Sequence, residues 1–94
     1  MYYIYVLFNE KADSEKKFYL GYTNDLRRRV AEHNQGMSQW TKRFGPWRLI
    51  YYEAYASMED AMDRERKLKS HGKGIQELKK RLRKSIHKAK KVRD

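Results

Sequence analysis

The chain contains no cysteine and only one proline, and its 94 residues include few acids. Without cysteine, neither a disulfide nor a thiolate zinc site can stabilise the fold. The longest apolar run is far below the ~20 residues that are needed to span a bilayer. The strand-like segment that starts at Tyr2 does not resemble a signal peptide. A chain of this length forms one small domain, and we expect it to be cytoplasmic and not bound to a membrane.

Positive charge is what the chain has in excess, with 23 Lys and Arg residues against 12 Asp and Glu residues and a net charge of +11. This balance favours a polyanionic partner, and nucleic acid fits it better than an anionic membrane surface does. The alternative is a charged surface that only keeps the protein in solution. The charge is uneven, since nine basic residues and a single acid, Asp94, lie between Lys79 and the end of the chain.

Hydrophobic periodicity predicts three strands, over 2–8, 18–22 and 47–55, with a hairpin loop between the first two. Apolar residues spaced by three and four predict three helices, over about 25–35, 58–70 and 75–86. The fold class is therefore α+β, a small, mainly antiparallel three-stranded sheet flanked by helices. The element order is strand–strand–helix–strand–helix–helix. We expect a single domain over residues 1–86 and a frayed or disordered basic tail over residues 87–94.

The first predicted helix carries two polar side chains on its apolar face. Asn24 is expected to cap it, Asp25 to lie in its first turn and Gly36 to end it. One face of this helix holds four residues at spacings of three, one and three, which are Leu26, Arg29, Val30 and His33. Arginine and histidine on such a face need polar partners, because burying them without partners is unfavourable. Taken alone, the histidine is better interpreted as a hydrogen-bonded residue near the core.

The second predicted helix carries a carboxylate on its apolar face. Its apolar positions are Met58, Ala61, Met62 and Leu68. Glu65 follows Ala61 by four residues and precedes Leu68 by three, so it lies on the same face. A glutamate in such a place is either a salt-bridge partner or a ligand for a hard cation such as Mg²⁺, which binds few protein carboxylates and takes its other ligands from water and phosphate.

The segment 37–46 has no clear hydrophobic period. In it, Trp40 lies close to Lys42 and Arg43, a composition suited to stacking on bases and contacting phosphates. It is equally consistent with a surface loop whose aromatic residues cover the core.

The predicted third strand alternates, with Leu49, Tyr51 and Glu53 on one face and Arg48, Ile50, Tyr52 and Ala54 on the other.

Two triplets, Tyr3-Ile4-Tyr5 and Tyr19-Leu20-Gly21, are separated by the length of a hairpin loop, and Arg29, His33 and Glu65 follow them in order. With these residues the chain resembles the GIY-YIG nuclease family, whose two signatures the triplets match, and within it the small single-domain, excinuclease-like members. Arg29 corresponds to the catalytic arginine of the family, and Glu65 to its metal-binding glutamate. His33-Asn34 and Thr41 fit the pattern of the small members, and the resemblance extends over residues 1–82.

The chain departs from the family pattern at three points. Tyr3 replaces the glycine of the first signature, and Leu20 replaces the isoleucine of the second. No asparagine follows Asn34, so the late asparagine of some larger family nucleases is missing. Many family enzymes also have a separate DNA-binding domain, whereas this chain has only its basic third helix and tail.

The resemblance implies hydrolysis of DNA phosphodiester bonds with one divalent cation, Mg²⁺ or Mn²⁺, on branched or nicked DNA in repair or recombination. It implies that Glu65 holds the metal, that Arg29 binds the scissile phosphate, and that Tyr5 or Tyr19 orients or deprotonates the attacking water. His33 either assists as a base or holds a tyrosine in place. Residues expected to contact nucleic acid are Arg27, Arg28, Trp40, Lys42, Arg43, Lys69, Lys79, Lys80 and Arg83.

Two other function classes stay open. The first is a nucleic-acid-binding module that keeps the nuclease fold but has little or no cleavage activity. The second is a basic RNA-binding protein, which would explain the tail but not the inward arginine, histidine and glutamate. The role of Lys69 also has two interpretations. It either contacts phosphate or only lies at the end of the second helix, where a cation interacts favourably with the helix dipole.

Overall fold

The computed structural model describes residues 1–9, 17–36, 46–70 and 73–91. The strands are β1 (Tyr2–Phe8), β2 (Phe18–Thr23) and β3 (Arg48–Tyr55), and the helices are α1 (Leu26–Asn34), α2 (Met58–Ser70), α3 (Lys73–Arg81) and α4 (Arg83–Lys91). This arrangement confirms the α+β class. Within these described ranges no helix has both the length and the apolar character that crossing a membrane requires.

The sheet has the order β2-β1-β3, and both strand pairs are antiparallel. β1 is therefore central, and its residues 4–8 are buried. Tyr3, Tyr5 and Leu7 point to one face of the sheet, which we call the site face, where Leu26 and Val30 of α1 pack with Trp47. The opposite face carries Ile4 and Val6. There the larger core is formed by Ala61 and Leu68 of α2, Leu78 of α3, Leu82 between α3 and α4, and the partly buried Ile86 of α4.

A β-bulge changes the predicted alternation of β3. Val6 pairs with Tyr51 but Leu7 pairs with Leu49, so Ile50 is an extra residue in the strand. Ile50 and Tyr51 both pack against the larger core, and the prediction that they lie on opposite faces is wrong. After the bulge the side chains alternate again from Tyr51, so that Tyr51 and Glu53 lie on the face opposite to that of Leu49.

The start of α1 differs from the prediction by one residue. The side chain of Asp25, not that of Asn24, caps the helix by accepting a hydrogen bond from the backbone N–H of Arg28 at 3.1 Å. Thr23 Oγ1 in turn accepts a hydrogen bond from the backbone N–H of Asp25 at 3.0 Å. Gly36 follows the helix with a positive φ of 76°, which fits its predicted role at the end of α1.

The other helices also depart from their predicted form. Met58 and Met62 are 42% and 43% exposed, because α2 meets the sheet along the narrower stripe of Ala61, Glu65 and Leu68. The predicted third helix is two helices, since the backbone N–H of Leu82 bonds to two carbonyl groups and tightens the chain there. This turn keeps Leu82 in the core. Residues 87–91 are helical within α4, where a frayed tail was predicted.

Candidate active site

Tyr5 lies at the centre of a group of polar side chains on the site face. It is 1% exposed, and it pairs directly with Gly21 of β2. Its ring extends across that glycine, so that a Cβ atom at position 21 would collide with the Tyr5 hydroxyl group. Position 21 therefore has to be glycine for the Tyr5 ring to occupy this place. The periodicity of the sequence gave no sign of this requirement, although Gly21 belongs to the second signature of the resemblance.

α1 supplies the buried histidine of the site. His33 is 1% exposed, and its Nε2 atom lies 2.8 Å from the Tyr5 hydroxyl oxygen. The Tyr19 ring packs on the imidazole with a centroid distance of 4.7 Å, and Trp47 contacts the edge of Tyr19. Tyr5, Tyr19 and His33 thus form one aromatic group. His33 points inward, as its position on the apolar face of the helix predicted.

Arg29 lies one helical turn before His33, and its charge acts on the same hydroxyl group. Its guanidinium donates a hydrogen bond to the Glu32 carboxylate at 3.0 Å, and its interaction with Tyr5 lowers the pKa of that phenol. The direction of the Tyr5–His33 hydrogen bond follows from the tautomer of the neutral imidazole. Tyr5 donates to Nε2 when the ring proton is on Nδ1, and it accepts from Nε2 when the ring proton is there.

Burial controls the protonation of both groups. It raises the pKa of Tyr5 to about 12; Tyr19 and Glu65 act in the same direction, and Arg29 opposes them. Burial, together with the positive charge of Arg29, lowers the pKa of His33 to about 4. At neutral pH the site therefore contains a neutral phenol hydrogen-bonded to a neutral imidazole.

Glu65 acts on this group from α2. Its side chain is 23% exposed and forms an ion pair with Lys69 at 3.2 Å, and its charge raises the pKa of Tyr5. Among the residues that the structure describes, no three His, Asp or Glu side chains are placed to share a metal ion. A single, partly exposed carboxylate does fit Mg²⁺ or Mn²⁺ if water and phosphate oxygens supply the other ligands.

The residues predicted to contact nucleic acid are distributed over several surfaces. Arg27 and Arg28 are exposed on the outer face of α1, and Arg83 is exposed on α4. Lys69 lies beside Glu65. Lys79 lies 4.3 Å from the centroid of the Phe18 ring, and Lys80 pairs with Glu77 at 3.6 Å. Trp40, Lys42 and Arg43, like Thr41, lie outside the described residues.

Two hydrogen-bonded connections, one beside the site and one on the opposite face of the sheet, were not predicted. The Asn34 side chain accepts from the backbone N–H of Trp47 at 2.6 Å and donates to its carbonyl group at 3.1 Å, which ties the end of α1 to the start of β3. Glu53 accepts hydrogen bonds from Tyr51, Tyr55 and Arg64. A signal for the Tyr51–Glu53 pair was present, since both residues were placed on one face of the strand.

Comparison with known proteins places these residues in a family. Residues 1–81 match the model of the GIY-YIG catalytic domain. A UPF0213 protein of Streptococcus pneumoniae serotype 4 is 46% identical over 68 residues, which cover 71% of this chain and 65% of that protein. The match thus spans less than two thirds of that relative.

Two further proteins are similar over different lengths. A structure-specific endonuclease subunit SLX1 homolog of Giardia intestinalis is 39% identical over 51 residues, which are 51% of this chain and 14% of that protein. The solution NMR structure of a UPF0213 protein from Bacillus halodurans is 34% identical and covers 83% of both chains, with a TM-score of 0.47.

Proposed function

Because the chain belongs to the GIY-YIG family, we propose that it is a metal-dependent endonuclease that hydrolyses phosphodiester bonds of DNA. The observation that carries this proposal is the group around Tyr5, whose hydroxyl oxygen lies 2.8 Å from Nε2 of His33 and whose pKa is lowered by Arg29 and raised by Glu65. The Giardia relative is named a structure-specific endonuclease subunit. We extend that selectivity to this chain as action on branched or nicked DNA in repair or recombination.

Arg29 binds the scissile phosphate in this proposal. Its side chain is 30% exposed, so a phosphate group can reach it from solvent, and its planar fork of donors suits the extra negative charge of a pentacovalent transition state. In the free protein Glu32 occupies part of this fork. The incoming phosphate takes the place of the Glu32 carboxylate.

Glu65 would hold one Mg²⁺ or Mn²⁺ on the side of the leaving group, with Lys69 released from its carboxylate. When bound there, the cation offsets the negative charge that builds up on the departing oxygen. Lys69 is then free to contact a phosphate group.

Tyr5 and His33 position the attacking water. A phenol with a pKa of about 12 and an imidazole with a pKa of about 4 are both neutral at pH 7, and neither is a good base. The Tyr5 oxygen orients the water by a hydrogen bond, and His33, whose Nε2 lies 2.8 Å away, holds the phenol in place. The water oxygen forms the new P–O bond as the bond to the leaving oxygen breaks, and its proton passes to bulk solvent. Tyr19 packs on His33 and keeps its ring in place.

The proposal is tested with labelled branched, nicked and linear DNA. We expect Arg29→Ala and Glu65→Ala to reduce cleavage in Mg²⁺ by at least ~10²-fold, because each removes a group that stabilises charge in the transition state. Much of the binding should remain. Arg66→Ala and Asp63→Ala are matched controls on exposed residues of α2 and should cleave like the unchanged chain.

Two outcomes would contradict this assignment. Cleavage that survives both Arg29→Ala and Glu65→Ala undiminished would place the reaction elsewhere in the chain. A chain that binds all three DNAs but cuts none of them in Mg²⁺ or Mn²⁺ would be a nucleic-acid-binding module with the nuclease fold.

A further inference from the structure

Two tyrosines of the site face are not used by the site described so far. Tyr3 lies two residues before Tyr5 in β1, and Tyr52 lies directly opposite Tyr5 in β3. Their rings meet edge to face, with centroids 5.8 Å apart and an interplanar angle of 68°. Tyr3 is also the residue that replaces the glycine of the first family signature. The aromatic pair therefore exists because of that replacement.

Neither ring serves the hydrophobic core. Tyr52 is 51% exposed, and neither tyrosine belongs to the two core clusters of the described residues. Neither hydroxyl group forms a hydrogen bond with any residue that the structure describes. Tyr3 itself is half-buried, and its strand neighbours Thr23 and Ala54 have small side chains. An exposed aromatic ring paired with a half-buried one outside the core points to a ligand.

We propose that Tyr3 and Tyr52 form a stacking platform for an unpaired base of the DNA strand that is cut, an inference that rests on the proposed nuclease function. Aromatic side chains stack on bases of any sequence because every base has a π-face. Tyr3 is two strand residues, about 6.6 Å, from Tyr5. A nucleotide next to a phosphate at Arg29 can reach it.

Charge decides between a nucleic acid and a second copy of this chain as the occupant. The chain has a net charge of +11, so two copies repel each other, whereas a DNA strand is attracted. A base inside a duplex already stacks on both of its neighbours. The platform therefore selects DNA with an unpaired nucleotide beside the scissile phosphate, as found at a branch, a flap or a frayed nick.

The test measures stacking without cleavage. A flapped DNA carries 2-aminopurine at each position of its unpaired strand in turn and is mixed with the full chain in EDTA. We expect the fluorescence to be quenched at one or two positions. Tyr3→Leu and Tyr52→Leu should abolish that quenching and weaken binding of the flapped DNA by about tenfold. Binding of a blunt duplex should not change.

The matched controls keep the rings and remove only the hydroxyl groups. Tyr3→Phe and Tyr52→Phe should quench like the unchanged chain, and thermal unfolding of all four variants checks that they fold. Quenching that persists in both leucine variants would overturn the platform. Sedimentation that shows a dimer lost only in the leucine variants, with DNA binding unchanged, would overturn it as well and make this face an interface between copies.

The outcome is independent of whether the chain cleaves DNA. Quenching that depends on Tyr3 and Tyr52 in a chain that never cuts DNA would refute the proposed nuclease and keep the platform. In the opposite outcome, cleavage requires Arg29 and Glu65 but proceeds equally well in Tyr3→Leu and Tyr52→Leu, on both flapped and linear DNA. That result would support the nuclease and refute the platform.

Discussion

At the scale of single residues, the neutral state of Tyr5 and His33 follows from their burial. Each of the two residues is 1% exposed, and each forms a hydrogen bond that suits the uncharged form of the other. Arg29 provides the positive charge of this group, and that charge discourages a second one on His33. The site is therefore arranged so that the cation next to Tyr5 is the arginine and not the imidazolium.

The depressed pKa of His33 predicts a dependence of stability on pH. Histidine has a pKa of about 6.5 in the unfolded chain and about 4 in the folded protein. Between these values the unfolded state binds more protons, so the free energy of unfolding should fall as the pH falls from 6.5 to 4, by up to about 3 kcal/mol. Urea unfolding of the unchanged chain and of His33→Gln at several pH values measures this.

The comparison of the two chains isolates the histidine, since their carboxylates titrate alike. The two stabilities should approach each other as the pH is lowered, with most of the change between pH 6.5 and 4. Curves that stay parallel over this interval would show that His33 titrates normally in the folded protein.

The sequence predicted the inward positions of Arg29, His33 and Glu65 because helical periodicity alone decides which face a residue occupies. It could not predict that Asn34 holds the backbone of Trp47, since these residues lie 13 positions apart and the sequence does not show where the intervening segment returns. The need for glycine at position 21 likewise depends on the direction of the Tyr5 ring, which is a tertiary property.

At the scale of elements, Glu53 joins β3 to α2. Its carboxylate accepts two hydrogen bonds from the Arg64 guanidinium, at 2.9 and 3.0 Å, and one each from the Tyr51 and Tyr55 hydroxyl groups. Burial alone would raise the pKa of Glu53, but these hydrogen bonds outweigh it and lower the pKa. Since α2 also carries Glu65, this connection helps to fix the helix relative to the sheet.

Glu53→Ala should therefore destabilise the fold by about 2 kcal/mol, because it leaves three donor groups without their acceptor. Asp63→Ala is the control. It breaks an ion pair to Arg66 in which both side chains are more than half exposed, at 54% and 70%, and should cost no more than ~0.5 kcal/mol. Denaturant unfolding of the two variants provides the comparison. Equal losses of stability would show that the Glu53 connection contributes nothing beyond a surface ion pair.

The elements that the sequence predicted well are those in which local pattern and tertiary packing agree. β1 and α2 have the predicted bounds. The bulge at Ile50 and the division between α3 and α4 at Leu82 were not predicted, because both depend on how the chain meets the larger core. The exposure of Met58 and Met62 has the same origin, since an apolar side chain is buried only where a partner surface exists.

At the scale of the whole molecule, the cations are not evenly distributed over the helices. α4 contains five Lys or Arg residues and no acid over Arg83–Lys91, and Arg83, Lys84 and Lys88 are exposed. α2, in contrast, carries three cations that form ion pairs, with Glu53, Asp63 and Glu65. The cations of α4 are therefore better placed to exchange their counterions for DNA phosphates.

Replacing Arg83, Lys84 and Lys88 together by glutamine should weaken duplex binding and flatten its dependence on salt. Each lost phosphate contact reduces the steepness of log K against log salt by about 0.9, so the slope of the triple variant should be less steep by about 2 to 3. Arg66→Gln is the control, since its charge is already paired with Asp63, and it should change the slope by less than about 1. Fluorescence anisotropy at several salt concentrations measures both slopes. A triple variant with the slope of the unchanged chain would show that DNA does not contact α4 and that the excess charge of this helix serves another purpose.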